Sequence, residues 1–210
     1  GPGQAALDAI RAAFPEAGRY PDNPSVALAA ALAKLHGVTD ANIVLGSGSG
    51  EILRMSVFAF TSPARALLQG APTFEDPSRY AEVVGAPVVA VPVDAQLRLD
   101  LDAMVSRAAA TGMVFLCNPN NPTATVHSAA AVKDFVARIL KVSPEATIVV
   151  DEAYHHYVED PSYASAVQLA LENPRVLVCR TFSKAYGMAG LRVGYAVGHA
   201  DTMKVLRRHK

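Results

Sequence analysis

Seven short apolar runs, rich in Val, Leu and Ile, recur along the sequence at 43–45, 65–69, 87–91, 113–117, 147–150, 176–180 and 193–197. Several are apolar throughout, the pattern of strands covered on both faces, as in a parallel sheet. Helix-compatible stretches lie between them at 25–36, 51–60, 77–84, 101–110, 128–141 and 163–171, and a last one begins near 201. This alternation predicts an α/β fold: a doubly wound, mostly parallel seven-stranded sheet with helices on both faces. One junction departs from it. The stretch from Arg180 to Leu191 is short and contains Gly187 and Gly190. A parallel crossover needs about a dozen residues or more, so the final strand is expected to run antiparallel.

The rest of the composition narrows the class. The 210 residues suit one compact domain, at 41–210, preceded by a helical segment at 1–40. Lys+Arg and Asp+Glu are both 19, so no net field draws the chain to nucleic acid or to an anionic membrane. No apolar run approaches the ~20 residues of a membrane helix. Cys117 and Cys179 have neither disulfide-framework nor metal-site spacing, and each lies in an apolar run. Buried thiols in a reducing, cytoplasmic compartment are the expectation. Gly1-Pro2-Gly3 shows no secretory leader pattern, and the last helix reaches Lys210, which reads as a helix cut short or a basic helix end.

Four motifs follow strands. Gly46-Ser-Gly-Ser-Gly-Glu51 opens a helix, where free amides and the helix dipole favour phosphate; a merely flexible turn fits as well. Cys117-Asn-Pro-Asn-Asn-Pro-Thr123 is a proline-stiffened, amide-rich loop at a strand's carboxyl end, where open α/β sheets bind ligands. Asp151-Glu-Ala-Tyr154 puts a carboxylate at the end of an apolar strand; it either meets a cation or donor, or caps a helix. His155-His156 follows, and adjacent histidines do not share a helix face, so they read as structural or surface residues rather than metal ligands. Thr181-Phe-Ser-Lys184 offers an amine fit for a Schiff base if it is desolvated, and a solvated surface Lys otherwise. Arg192, leading into an apolar strand, points to a buried phosphate or carboxylate, or to an internal ion pair. Together these groups suit a ligand with a phosphate, a basic ring nitrogen, a phenolic oxygen and an aldehyde.

The motifs Arg19-Tyr-Pro21, Gly48-Ser-Gly-Glu-Ile-Leu53, Pro72-Thr-Phe74, Asn118-Pro-Asn-Asn-Pro-Thr123, Asp151-Glu-Ala-Tyr154 and the run from Thr181 to Tyr195 occur in order along nearly the whole chain. In these the chain resembles the large domain of fold-type I, pyridoxal-phosphate-dependent class I/II aminotransferases, in particular the histidinol-phosphate aminotransferase-like branch. The resemblance implies amino transfer between an amino acid, histidinol-phosphate-like or aromatic, and a 2-oxo acid, by a ping-pong route. It assigns Lys184 the Schiff base with pyridoxal 5'-phosphate and the proton transfer at the substrate α-carbon. Asp151 would face the pyridine nitrogen, Asn121 and Tyr154 the phenolic oxygen, and Phe74 the ring face. Ser49, Gly50 and Glu51 amides, Thr181 or Ser183, and Arg192 would hold the phosphate. Tyr20 would reach the phosphate of a partner subunit, which implies a homodimer. No metal is implied.

The chain also departs from that pattern. Ala124 stands where Gly is usual, which would strain the loop by ~1 kcal/mol if the position needs a positive φ. Gly50 replaces a usual Asp or Asn, and His155-His156 replaces a usual apolar–acidic pair. The resemblance further implies an earlier part of the N-terminal arm and a small C-terminal domain with a carboxylate-gripping Arg, neither of which has a counterpart in these residues. A chain without that grip is expected to be weak or inactive alone. Decarboxylase or carbon–sulfur lyase chemistry on the same fold is an alternative, and so is a non-catalytic ligand-sensing module.

Overall fold

A computed structural model describes residues 1–20 and 24–210. Pro21, the end of the Arg19-Tyr-Pro motif, lies outside the described residues. Helices α1 (Gln4–Ala13) and α2 (Pro24–His36) precede strand β1 (Ile43–Gly46). There follow α3 (Ser49–Phe60), β2 (Ala66–Ala71), α4 (Asp76–Val83), β3 (Val88–Pro92), α5 (Leu101–Ser106) and β4 (Thr111–Cys117). The chain continues through α6 (Ala129–Val142), β5 (Thr147–Asp151), α7 (Val167–Glu172), β6 (Val176–Thr181), β7 (Gly194–Gly198) and α8 (Ala200–Arg207).

The seven strands form one sheet in the order β1-β7-β6-β5-β4-β2-β3. β7 is antiparallel to both neighbours, as the short junction before it requires, and the pairings among β2 to β6 are parallel. Alternate strand residues face opposite layers. Val114, Leu116, Ile148, Val150, Val176 and Val178 pack with Val132, Phe135, Val136 and Ile139 of α6. Met113, Phe115, Cys117, Val149, Leu177 and Cys179 pack with Ile52, Leu53, Met55 and Val57 of α3 and with Met203 and Leu206 of α8. The α6 positions recur at three- and four-residue spacing, and Ser128 caps that helix by accepting from the Ala131 amide at 3.2 Å. Among the described residues, no helix is long and apolar enough to cross a membrane.

Two helices are shorter than their sequences suggest. The stretch 101–110 stops being helical at Ser106, because the chain must turn into β4; Ala108 is buried there and Ala110 takes a positive φ of 57°. The stretch 163–171 becomes helical only at Val167. Ser165 and the Ala166 amide are held instead by the Glu152 carboxylate, at 2.8 and 2.7 Å. Tertiary hydrogen bonding overrides local helix propensity in that segment.

The sheet brings four strand ends to one edge. Asp151 at the end of β5 is level with Cys117 of β4 and Cys179 of β6. Gly194, opposite Thr181 at the start of β7, lets the α3 entry turn approach: a Cβ there would lie 2.5 Å from the Gly48 carbonyl carbon and the Ser49 nitrogen. Both are backbone atoms and cannot swing away. Gly194→Ala is therefore expected to cost ~1–3 kcal/mol, as overpacking does in a close-packed interior. Urea unfolding checks this; an unchanged midpoint would refute the close approach.

Candidate active site

A cavity of about 180 Å³ opens at that edge, lined among others by Ser49, Gly50, Phe74, Asn121, Asp151, Tyr154, Thr181, Ser183, Lys184 and Arg192. Ten of the twelve residues singled out from the sequence therefore meet in one place. The other two do not line it. Glu51 is in the first turn of α3, but its carboxylate turns back to accept from the Ser47 amide at 2.7 Å and pairs with Arg54 at 3.4 Å. Tyr20 is fully exposed.

Local structure explains how each group arrives. Gly48 occupies the N-cap of α3 with φ 78°, a left-handed geometry that favours glycine, and it has no side chain to cap the helix. The first-turn amides are thus left for an outside acceptor, and the helix dipole favours an anion there. The Arg192 guanidinium lies against Gly48, where a Cβ would come 2.5 Å from one of its nitrogens. Arg192 itself has φ 53° and donates to the Ala189 carbonyl at 3.0 Å. It is exposed, not buried as its place before an apolar strand suggested, and among the described residues it has no carboxylate partner. Exposure leaves its charge available to the cavity. Thr181 and Ser183 hydroxyls lie 2.9 Å apart beside it.

The amide-rich loop divides its labour. Asn118 bridges to the His127 backbone, accepting at 2.8 Å and donating at 3.2 Å. Asn120 donates to the Pro72 carbonyl and accepts from Thr73 Oγ1 at 2.7 Å. Those two build the loop, and Asn121 is the one that lines the cavity. Ala124 has φ 56°, so the strain expected of a non-glycine residue is present.

Asp151 is buried at the cavity floor and caps no helix; one oxygen accepts from the Ala153 amide at 3.0 Å. Burial pushes its carboxyl up to about 7, Glu152 adds to that, and the Ala153 amide and Lys184 oppose it. Lys184 is exposed rather than desolvated, with its Nζ 5.2 Å from the centre of the Tyr154 ring. The cavity also contains Asp76, whose carboxylate would be 3.4 Å from a Cβ at Gly50. Sequence reading missed it because nothing in the α4 sequence marks it. It also missed the buried pair behind the site, Glu152 and Arg180, whose side chains meet at 2.8 Å beside Ser165. A charge inside the apolar run of β6 was the available signal, but naming its partner needs the strand order. Burial pushes both the Cys117 and Cys179 thiols up, which makes them inert packing groups.

The donor set fits a phosphorylated aldehyde with a basic ring: an uncapped helix start with a guanidinium, a buried carboxylate, an aromatic wall and a lysine amine. Comparison with known proteins points the same way. Residues 3–210 match the family "Aminotransferase class I and II". The chain is 39% identical over 206 residues to histidinol-phosphate aminotransferase 1 of Cupriavidus pinatubonensis, covering 98% of this chain and 54% of that protein. It is 38% identical to an aromatic amino acid aminotransferase of Thermobifida fusca, covering 99% and 57%. The crystal structure of histidinol-phosphate aminotransferase from Sinorhizobium meliloti, in complex with pyridoxal-5'-phosphate, superposes with a TM-score of 0.92 at 27% identity, over 100% of this chain and 56% of that one. The chain thus spans about half the length of the curated relatives it matches.

The raised Asp151 carboxyl has a consequence for stability. The unfolded chain gives up this proton near the ordinary value of 3.8 and the folded one only near 7, so folding is penalised progressively as pH rises between the two. Asp151→Asn is expected to stabilise the ligand-free protein at pH 8 by ~2–4 kcal/mol, with the gain vanishing toward pH 4. Chemical denaturation at both pH values measures it; an equal effect at both would contradict the burial argument.

Proposed function

The chain belongs to the class I and II aminotransferase family, and on that premise we propose that it forms the cofactor-binding domain of a pyridoxal-phosphate-dependent aminotransferase. Residues 41–210 would be that domain and residues 1–40 the helical segment leading into it. The observation that carries the reading is the single cavity holding the α3 entry turn with Arg192, the buried Asp151 and the Lys184 amine. When bound, pyridoxal phosphate supplies an aldehyde for amines and a ring that draws electrons from the substrate α-carbon.

The chain's own residues then have distinct tasks. Ser49, Gly50 and Glu51 amides, the Thr181 and Ser183 hydroxyls and Arg192 bind the phosphate. The buried Asp151 carboxylate keeps a proton on the ring nitrogen, since only an anion there stabilises the cationic form. Asn121 and Tyr154 donate to the phenolic oxygen, and Phe74 covers the ring face. Lys184 Nζ takes the proton released at the substrate α-carbon and returns one to complete amino transfer. The exposed Tyr20 is available to the phosphate of a second copy, which supports a homodimer with shared sites. The names of similar proteins support an amino donor of histidinol-phosphate or aromatic type and a 2-oxo acid acceptor. The two free, buried cysteines support a reducing location such as the cytoplasm.

The test is to add pyridoxal phosphate to the purified protein, reduce with borohydride and map the adduct by peptide mass. A pyridoxyl group on Lys184, absent from Lys184→Ala, is expected. A folded protein that gives no adduct, or gives one elsewhere, would refute the reading.

A further inference from the structure

His155 and His156 are the sequence feature that the cofactor site leaves without a task. They open a 3-10 turn, His155–Tyr157, directly after Tyr154. Their rings lie 3.8 Å apart between centroids. His156 Nε2 is 3.2 Å from the Tyr186 hydroxyl, and the two rings meet edge-on with centroids 5.1 Å apart. Tyr186 is two residues beyond Lys184. Two residues before Lys184, Phe182 packs on Tyr186 at 5.0 Å and on the buried Tyr195 at 6.0 Å. Lys184 is thus bracketed by two ring-held neighbours. The loop's own backbone bonds, Gly187 to Lys184 and Met188 to Phe182, shape it but tie it to nothing beyond itself. The His156–Tyr186 contact ties it to the segment that carries Asp151 and Tyr154.

We propose that His156 and Tyr186 form a brace that holds the Lys184 amine over Tyr154, making both of them positioning residues for carbonyl chemistry at that amine. The inference rests on the reading above for the identity of the carbonyl compound. In the proposed brace the Tyr186 hydroxyl donates to the His156 tautomer with an unprotonated Nε2, one of the two directions the 3.2 Å contact allows, and that direction requires a neutral ring. A protonated imidazole has no lone pair to accept with. The groups facing His156 are Arg180 from β6, Glu152 from the end of β5, His155 in the same turn and Tyr186 from the loop. Partial burial lowers its proton affinity, Arg180 lowers it further and Glu152 opposes them. Burial pushes His155 down to about 3, so it adds no charge at working pH. The brace is therefore present at neutral pH and lost in mild acid, below the ordinary histidine value of 6.5.

The experiment compares the wild-type protein with His156→Ala, His156→Gln and Tyr186→Phe, each shown by circular dichroism and melting to be folded. Pyridoxal phosphate is added, samples are quenched with borohydride over time, and the Lys184 adduct is quantified from pH 5 to 8. Losing one hydrogen bond and the placement it gives is expected to slow adduct formation ~5–10-fold in His156→Ala and Tyr186→Phe at pH 7.5. His156→Gln keeps an acceptor and is expected to stay within ~2-fold, and to lack the extra acid-side drop that wild type shows. His156→Ala at the wild-type rate, or His156→Gln no better than His156→Ala, would overturn the brace. A second readout needs no cofactor: the His156 titration followed by NMR. It is expected to move up toward 6.5 in Tyr186→Phe, and an unmoved titration overturns the brace. Absence of any adduct in wild type would instead refute the cofactor reading, and the NMR titration then decides the brace alone.

Discussion

Two adjacent carboxyl groups at the end of β5 face opposite ways and meet opposite environments. Glu152 points behind the sheet edge, where Arg180, Ser165 and the Ala166 amide satisfy it. Asp151 points into the cavity, where one amide donates to it and burial pushes its carboxyl to about 7. A strand's alternation dictates that neighbours diverge in this way. The pairing of Glu152 shapes the surrounding chain, since it keeps 163–166 out of helix α7. The incomplete pairing of Asp151 costs the ligand-free protein stability at neutral pH that a cationic partner would recover. Stability given up at a site and recovered through a ligand is how a scaffold becomes selective for that ligand.

The end of the cavity at the α3 entry turn depends on close backbone approach as well as on the Arg192 charge. Gly48 must take a left-handed conformation to turn β1 into α3, and Gly194 must lack a side chain for that turn to lie against β7. The antiparallel placement of β7, between β1 and β6, is what brings Gly194 there. The short, glycine-bearing junction between β6 and β7 therefore sets the direction of β7 and, through it, the shape of the cavity at the α3 entry turn. The same junction carries Lys184, Tyr186 and Arg192.

Much of this was legible in the sequence for a physical reason. Central strands buried on both faces must be apolar throughout, so β4, β5 and much of β6 stood out, and the shorter edge runs β1 and β3 were legible as Val- and Leu-rich segments in the same alternation. Lys184, Asp151 and Asn121 each had a structural alternative when read alone, and it was the resemblance of their motifs, taken together, that assigned them roles; the fold brings all three to one cavity. What was not legible depends on who neighbours whom. Arg180 in β6 could not be matched to Glu152 after β5 until the strands were known to be adjacent. Asp76 reaches the cavity from a helix start that sequence does not mark as special. The exposure of Arg192 and Lys184 contradicts a local reading of apolar flanks, because the loop between β6 and β7 projects from the sheet edge instead of folding into it.

That projection separates two demands that a single buried site would set in conflict. In the proposed reading a carboxylate that holds one proton on a ring works best when it is dry, and Asp151 is buried at the end of β5. In the same reading an amine that meets a carbonyl, leaves it and then moves protons needs access and freedom of motion, and Lys184 is exposed on the loop between β6 and β7. Freedom without direction would waste most encounters, because reacting atoms must come within about 3–3.5 Å in a suitable orientation. Aromatic contacts on either side of Lys184 limit the loop without burying the amine. The contact on the Tyr186 side uses a titratable histidine, so in the proposed brace its strength follows pH where a purely aromatic contact would not.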